Sequence, residues 1–501
     1  MTVKPSGYKS ALASMAGLVL PLLFFVVATP FAIASFGEDK FGLLLLILSL
    51  QAVVLSVDFG LSSGGVVLIA RHMANGDIAS ASRTLSEIFS LYLLIGLLVL
   101  LSIYVVTGVF NEGVLFGHDA SFVVDLIRVM ALGVFVAMLA NAMSLYLRAM
   151  EQIPILVLVQ NIYNTGIWVG VLLVGTNDGG LRDVLLVGIG LFALQFMLYL
   201  GWLSRSKSYR FMPLPSHGWQ MKGMLGYSSF AFVSQLSSML TYHVDRILVG
   251  VLSSVSQVAY YAVPANIVSR LLNVGALFNT FVFPRAITLH AAGDYEGLRA
   301  LYIKASRYTF LLLVPIMVPL VVLAPELMVL WLGDTFAQGS QLTARILLVA
   351  FFIASTSITP SQLYNGMGNS RIGAYYALVG SSINVLLCLV LIPKFGATGA
   401  AVASLVAMLQ ALVYRRSLER TLKVDRYSQR RAHLAITLVA LVQAAICGVI
   451  HLYGLISDII TAFLFLGGAW LVFYLLWLAL PSRYNAQERE LCRMAITRFG
   501  I

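Results

Sequence analysis

The chain has 501 residues, 60% of them hydrophobic and 11% charged, with a formal net charge of +11 and a mean hydropathy of +0.92. That composition cannot clothe a soluble protein in a surface of normal polarity, and the alternating ten-residue pattern of an outer-membrane barrel is missing. What remains is an all-α polytopic membrane protein. Each helical span takes roughly 20 apolar residues. Hydropathy places about 14 spans, at 11–36, 41–69, 84–110, 122–147, 154–176, 181–203, 226–252, 257–283, 305–332, 341–366, 373–393, 399–418, 433–454 and 457–480.

The first run is longer than a signal-peptide core and ends without a small-residue cleavage pattern, so it counts as a span. An even number of spans puts both termini on one side. Of the 32 Lys and Arg, Lys40, Arg182 and Lys394 fall in loops opposite the termini, and Arg128, Arg246, Arg270 and Arg345 fall within spans. The other 25 accompany the termini and the even-numbered connections. By the positive-inside rule both termini are cytoplasmic. The basic charge is thus a topology signal, and no nucleic-acid partner is expected. Cys388, Cys447 and Cys492 lack metal-type or CxxC spacing and read as packing residues.

A basic segment with Pro213 and Pro215, SRSKSYRFMPLPSHGWQMK at 204–222, reads as a linker between an N-lobe of six spans (1–203) and a C-lobe of six (223–418). An internal echo supports two lobes: HMANGD ends at Asp77 after the second span, and HAAGD ends at Asp294 after the eighth. The basic cluster 415–431 leads into a last pair of spans and a tail (419–501) with no counterpart in the first lobe.

Several spans carry charge. An ionised side chain at the bilayer centre costs on the order of 3 kcal/mol, so it normally faces a partner or a water-filled cavity. Asn266, Arg270 and Asn273 share one helical face, with Arg270 about halfway through its span, where snorkelling is long and costly. Arg128, Arg246 and Arg345 lie near outer ends, where they either line a cavity or snorkel to headgroups. Asp58 is a partner for Arg270, a coupling-ion site or a packing cap. Asp245, adjacent to Arg246, points away from it and serves either an interhelical pair or ion coupling. His243 reads as a hydrogen-bonded interior histidine. GLSSG at 60–64 fits a nucleophile-elbow pattern but lies inside a hydrophobic span, so close helix packing is its better use, as for Gly166 and Gly170.

The stretches DRILVGVLSSVSQVAYYAVPANIVSRL, FVFPRA and FGATGAAVASLVAMLQALVYRR, with FGLLLLILSLQAVVLSVDFGLSSG earlier, resemble the polysaccharide (O-antigen type) flippase family. That family belongs to the multidrug, oligosaccharidyl-lipid and polysaccharide exporter superfamily. The resemblance implies a two-lobed bacterial inner-membrane transporter that turns a polyprenyl-diphosphate-linked oligosaccharide, such as a lipopolysaccharide repeat unit, from the cytoplasmic to the outer leaflet by alternating access. Membrane lipids, a polymerase and other glycan-assembly proteins are the implied partners. The excess of Arg over carboxylates suits phosphate, which guanidinium binds through two oxygens. No cofactor is expected. There is no GxxxxGK[ST] phosphate loop for ATP, and an inside-negative potential favours outward movement of each negative charge by roughly 2.3 kcal/mol per 100 mV. Proton or sodium coupling stays open.

Three other readings compete. A membrane glycosyltransferase needs a sizeable outer loop, and the longest here is NEGVLFGHDAS. A cation-coupled drug exporter carries a carboxylate in its first span, and 11–36 has none. A flippase for the peptidoglycan lipid precursor shares the span number and the cationic lumen. The topology has a direct check. In intact cells an impermeant thiol reagent should label a cysteine placed near Glu112 and spare one placed near Ser417; the reverse pattern, or labelling of both, contradicts the fourteen-span arrangement.

Overall fold

In hydrocarbon every backbone N–H and C=O must find an internal partner, which leaves helices as the way for this chain to cross. The computed structural model describes residues 7–56, 61–109, 114–115, 117–205, 239, 243–424 and 426–480. Its helices, in order, are α1 (Gly7–Ser56), α2 (Leu61–Ala74), α3 (Ile78–Val109), α4 (Ala120–Ala149), α5 (Ile153–Thr176), α6 (Leu181–Arg205), α7 (Val244–Leu252), α8 (Val255–Phe278) and α9 (Val282–Ala291). They continue with α10 (Tyr295–Val322), α11 (Ala324–Leu332), α12 (Asp334–Ser355), α13 (Ile358–Gly366), α14 (Ser370–Met408), α15 (Gln410–Thr421), α16 (Arg426–Leu452) and α17 (Ile459–Ala479). The only strands among the described residues are the two-residue pair β1 (Val114–Leu115) and β2 (His118–Asp119).

Ten helical segments among the described residues are long and apolar enough to cross a membrane. Two of them, Val19–Ser56 and Ser370–Thr421, each cover two expected spans. They turn at Gly37 (φ +78°) and Gly396 (φ +55°), conformations that an L side chain resists. Helix α8, outside that set of ten, coincides with the expected span 257–283, and α7 with the end of the expected span 226–252. About fourteen membrane helices result. Differences from the expected boundaries have local causes. The ninth span is divided at Leu323, because Pro325 in the first turn of α11 has no N–H to continue α10. Helix α12 starts at Asp334, after Gly333 (φ +84°), so Arg345 lies three turns inside it instead of at its start.

Contacts group the chain into two compact units: Met1–Ala262 with Cys388–Gly396, and Val263–Leu387 with Ala397–Ile501. In the first, α3, α4 and α6 bury Leu85, Ile88, Val134, Met138, Tyr146 and Tyr199 against one another. Helices α5 and α6 approach through small residues, as the spacing of Gly166 and Gly170 suggests. A β-carbon on either glycine would stand 2.7 Å from a methyl of Leu191 or Val187. In the second unit, α9, α10, α13 and α15 enclose Tyr302, Leu363, Tyr364 and Leu418. Helices α16 and α17 pack Ile436, Val439, Phe473 and Trp477 against Leu311 and Val314 of α10.

The echo between HMANGD and HAAGD is a shared turn. At Gly76 (φ +73°) and Gly293 (φ +68°) the backbone turns left-handed. Asp77 N donates to His72 O at 2.9 Å and Gly76 N to Met73 O at 3.1 Å; Asp294 N and Gly293 N make the same two bonds to Leu289 O and His290 O, at 2.9 and 3.0 Å. Each aspartate then caps the next helix, accepting from Ser80 N at 2.9 Å and Gly297 N at 2.7 Å. The Ser80 N–H holds the Asp77 carboxyl below the usual carboxylate range.

One glycine carries a testable constraint. A β-carbon on Gly42 of α1 would overlap the carbonyl oxygen of Val255, the first residue of α8. Gly42→Ala should therefore lower the melting temperature of the purified protein, since overpacking costs about 1–3 kcal/mol. Gly190→Ala, which meets open space in α6, should leave it unchanged.

Candidate functional site

In the second unit, α8 presents Asn266, Arg270 and Asn273 on one face. Asn266 and Arg270 are half-buried and Asn273 is exposed. Among the described residues no carboxylate and no hydrogen-bond acceptor engages Arg270. The end of this helix is fixed. Asn279, just beyond it and 1% exposed, donates to Gly275 O at 3.0 Å and to Thr309 Oγ1 of α10 at 2.8 Å, and its Oδ1 accepts from Thr359 of α13 at 2.9 Å. A buried amide with both ends satisfied in this way sets one geometry for three helices. Arg345 is engaged differently: its guanidinium donates to Val322 O at 3.1 Å, closing a carbonyl left open where α10 ends.

The first unit holds a second group. Asp245 of α7 is 3% exposed and accepts from the Tyr261 hydroxyl at 2.6 Å. The neighbouring Tyr260 donates to Glu38, beside the α1 turn. Two consecutive tyrosines thus tie the start of α8 to two carboxylates on different elements, and hydrogen bonds to charged groups are among the stronger ones at about 1.5–3 kcal/mol. His243 and Arg246 are half-buried at the start of α7. Arg128 donates to Thr107 Oγ1 at 3.2 Å and sits 5.6 Å from the Tyr104 ring centroid. The nearby Arg182–Asp125 pair, at 3.2 Å, is largely exposed and contributes little.

The expected site residues therefore form separate sets. Asn266, Arg270 and Asn273 share a helix face; Asp245 and Arg246 are neighbours on α7; Arg128 and Arg345 each have a partner on an adjacent helix. Asp58 lies outside the described residues. Sequence reasoning passed over Asn279, the Tyr260–Glu38 and Tyr261–Asp245 pairs, and Glu87, which is 3% exposed among the apolar residues of α3. The double tyrosine in QVAYYAVP, at the start of an expected span, was the available signal, and it names no partner.

A model of the family described as "Polysaccharide biosynthesis protein" matches residues 37–341. The chain belongs to this family. The family's description agrees with the polysaccharide family that the motifs resemble. Among curated proteins it is 23% identical over 193 residues to one named "Putative O-antigen transporter" from Shigella flexneri, covering 38% of this chain and 46% of that protein. An uncharacterised membrane protein of Methanocaldococcus jannaschii is 23% identical over 189 residues, 37% of this chain and 36% of that one. The chain thus matches less than half the length of each of these relatives. Solved structures share the fold, two of them as follows. The lipid II flippase MurJ in an inward closed conformation superposes with a TM-score of 0.74 at 18% identity, covering 95% of this chain and 99% of that one. An inward-facing multidrug resistance transporter of the MATE family, itself of the MOP superfamily, gives 0.69 at 15% identity, covering 82% and 99%.

Proposed function

We propose that this family member is a flippase that moves a polyprenyl-diphosphate-linked oligosaccharide, the repeat unit of a surface polysaccharide, from the cytoplasmic to the outer leaflet of a bacterial inner membrane by alternating access. Family membership supports the polysaccharide pathway, and the names of the O-antigen and lipid II relatives support a transported lipid-linked glycan. The protein is a transporter in this reading, working beside the glycosyltransferases and polymerase that make and extend the glycan. Its lobes are 1–203 and 223–418, joined by 204–222 and followed by the 419–501 segment, with both termini cytoplasmic.

The observation that carries the reading is Arg270. A permanently charged guanidinium halfway along a membrane helix, half-buried and unengaged among the described residues, has its fork of donors available for a diphosphate. Asn266 and Asn273 add amide donors along the same face. Asp245, held by Tyr261, is the carboxylate offered for ion coupling, with Asp58 the other candidate. Arg246, Arg128 and Arg345 are assigned to the cargo's path.

In a strain lacking the gene, Arg270→Ala should reach normal membrane abundance and lose most surface polysaccharide, because an uncharged helix inserts more easily while a phosphate anchor is gone. Arg270→Lys should recover part of the export, keeping charge without the fork. Normal export by an abundant Arg270→Ala protein would remove Arg270 as a ligand, and collapse of abundance would make it a structural pair.

A further inference from the structure

Helix α10 carries Pro315 and Pro319, four residues apart and both buried. A proline inside a helix has no N–H for the carbonyl four residues before it, so Pro315 opens Leu311 O and Pro319 opens Pro315 O. Water closes such carbonyls in a soluble protein. At membrane depth another helix must do it.

Both carbonyls are taken by side chains of the C-terminal helix pair. The Tyr474 hydroxyl of α17 donates to Leu311 O at 2.8 Å, and Gln443 Nε2 of α16 donates to Pro315 O at 3.0 Å. Gln443, completely buried, also donates to Ala469 O of α17 at 3.0 Å, so one amide joins three helices. The surrounding contacts are apolar: Leu311 and Val314 against Ile436, Val439 and Phe473. Lipid offers the same kind of contact, so apolar packing alone gives the pair little reason to sit in one register. The polar groups supply it.

We infer that Pro315–Pro319 is a bend point in α10 and that the C-terminal pair is its lock, with Tyr474 and Gln443 replacing the two helical hydrogen bonds that the prolines remove. This gives a task to the two spans that have no counterpart in the first lobe: they fix the shape of a helix that cannot close its own backbone. The task concerns the second unit alone and holds whatever the cargo is.

The lock predicts which pairs of substitutions interact. In the purified full-length protein, Tyr474→Phe should lower the melting temperature by a few degrees. Combined with Pro315→Ala, which restores an N–H facing Leu311 O, its effect should fall to less than half. Pro319→Ala and Gln443→Leu should couple in the same way, whereas Pro319→Ala and Tyr474→Phe, which touch different carbonyls, should add. Additive effects in both matched pairs would overturn the lock. Should the proline variants fail to accumulate, hydrogen exchange on Tyr474→Phe alone decides: peptides covering 305–322 should exchange faster than in wild type while α3 peptides do not change, and unchanged exchange in 305–322 would overturn it.

Discussion

A backbone polar group in hydrocarbon has no water to fall back on, and much of this structure follows from where those groups are closed. Regular helix closes most of them. At Gly37, Gly396, Leu323 and the two prolines of α10, among other places, the ladder is interrupted, and the interruptions along α10 have identifiable substitutes. Arg345 takes Val322 O, Tyr474 takes Leu311 O, and Gln443 takes Pro315 O. Helix α10 is therefore held from three neighbouring helices, and before Pro315 its Thr309 joins the Asn279 lock at the end of α8. Apolar contact is something lipid supplies equally well, so these side chain to backbone bonds supply the register of the helices around α10.

The same accounting sorts the polar residues by use. Asn279, Gln443 and Tyr474 serve the fold, as do the tyrosines that hold Glu38 and Asp245 at the start of α8. Arg270 is not explained that way. Within the second unit its helix is tied just past the polar face by Asn279, so the cationic side chain stands on a helix held at that end. A ligand group on a rigid element is better placed for selective recognition than one on a loop. This is the physical basis of the flippase reading.

Much of this was legible in the sequence. Composition gave the class, hydropathy gave most of the described spans, and the repeated Gly-Asp turn was visible as a short echo whose meaning, a helix stop followed by a helix cap, became clear at Asp77 and Asp294. The face shared by Asn266, Arg270 and Asn273 followed from helical spacing alone. Partners were not legible. Nothing local pairs Tyr261 with Asp245 rather than with any other carboxylate, and Asn279, Thr309 and Thr359 are ordinary apolar-run polar residues until three helices bring them together. The same limit applies to VPIMVP: two prolines announce open carbonyls, but which residues close them depends on the packing of helices more than a hundred residues away.

The central claim is that the chain carries an anionic lipid-linked glycan across a bilayer, and transbilayer movement in proteoliposomes measures it most directly. The purified protein would be reconstituted with a fluorescent polyprenyl-diphosphate-linked oligosaccharide and, separately, with a lipid carrying the same glycan through an uncharged linkage, and leaflet exposure followed by an impermeant quencher. The flippase reading predicts movement of the diphosphate-linked lipid well above protein-free vesicles, faster when the starting side is electrically negative, and little movement of the uncharged lipid. Movement at the protein-free rate, or equal rates for the two lipids, would contradict it.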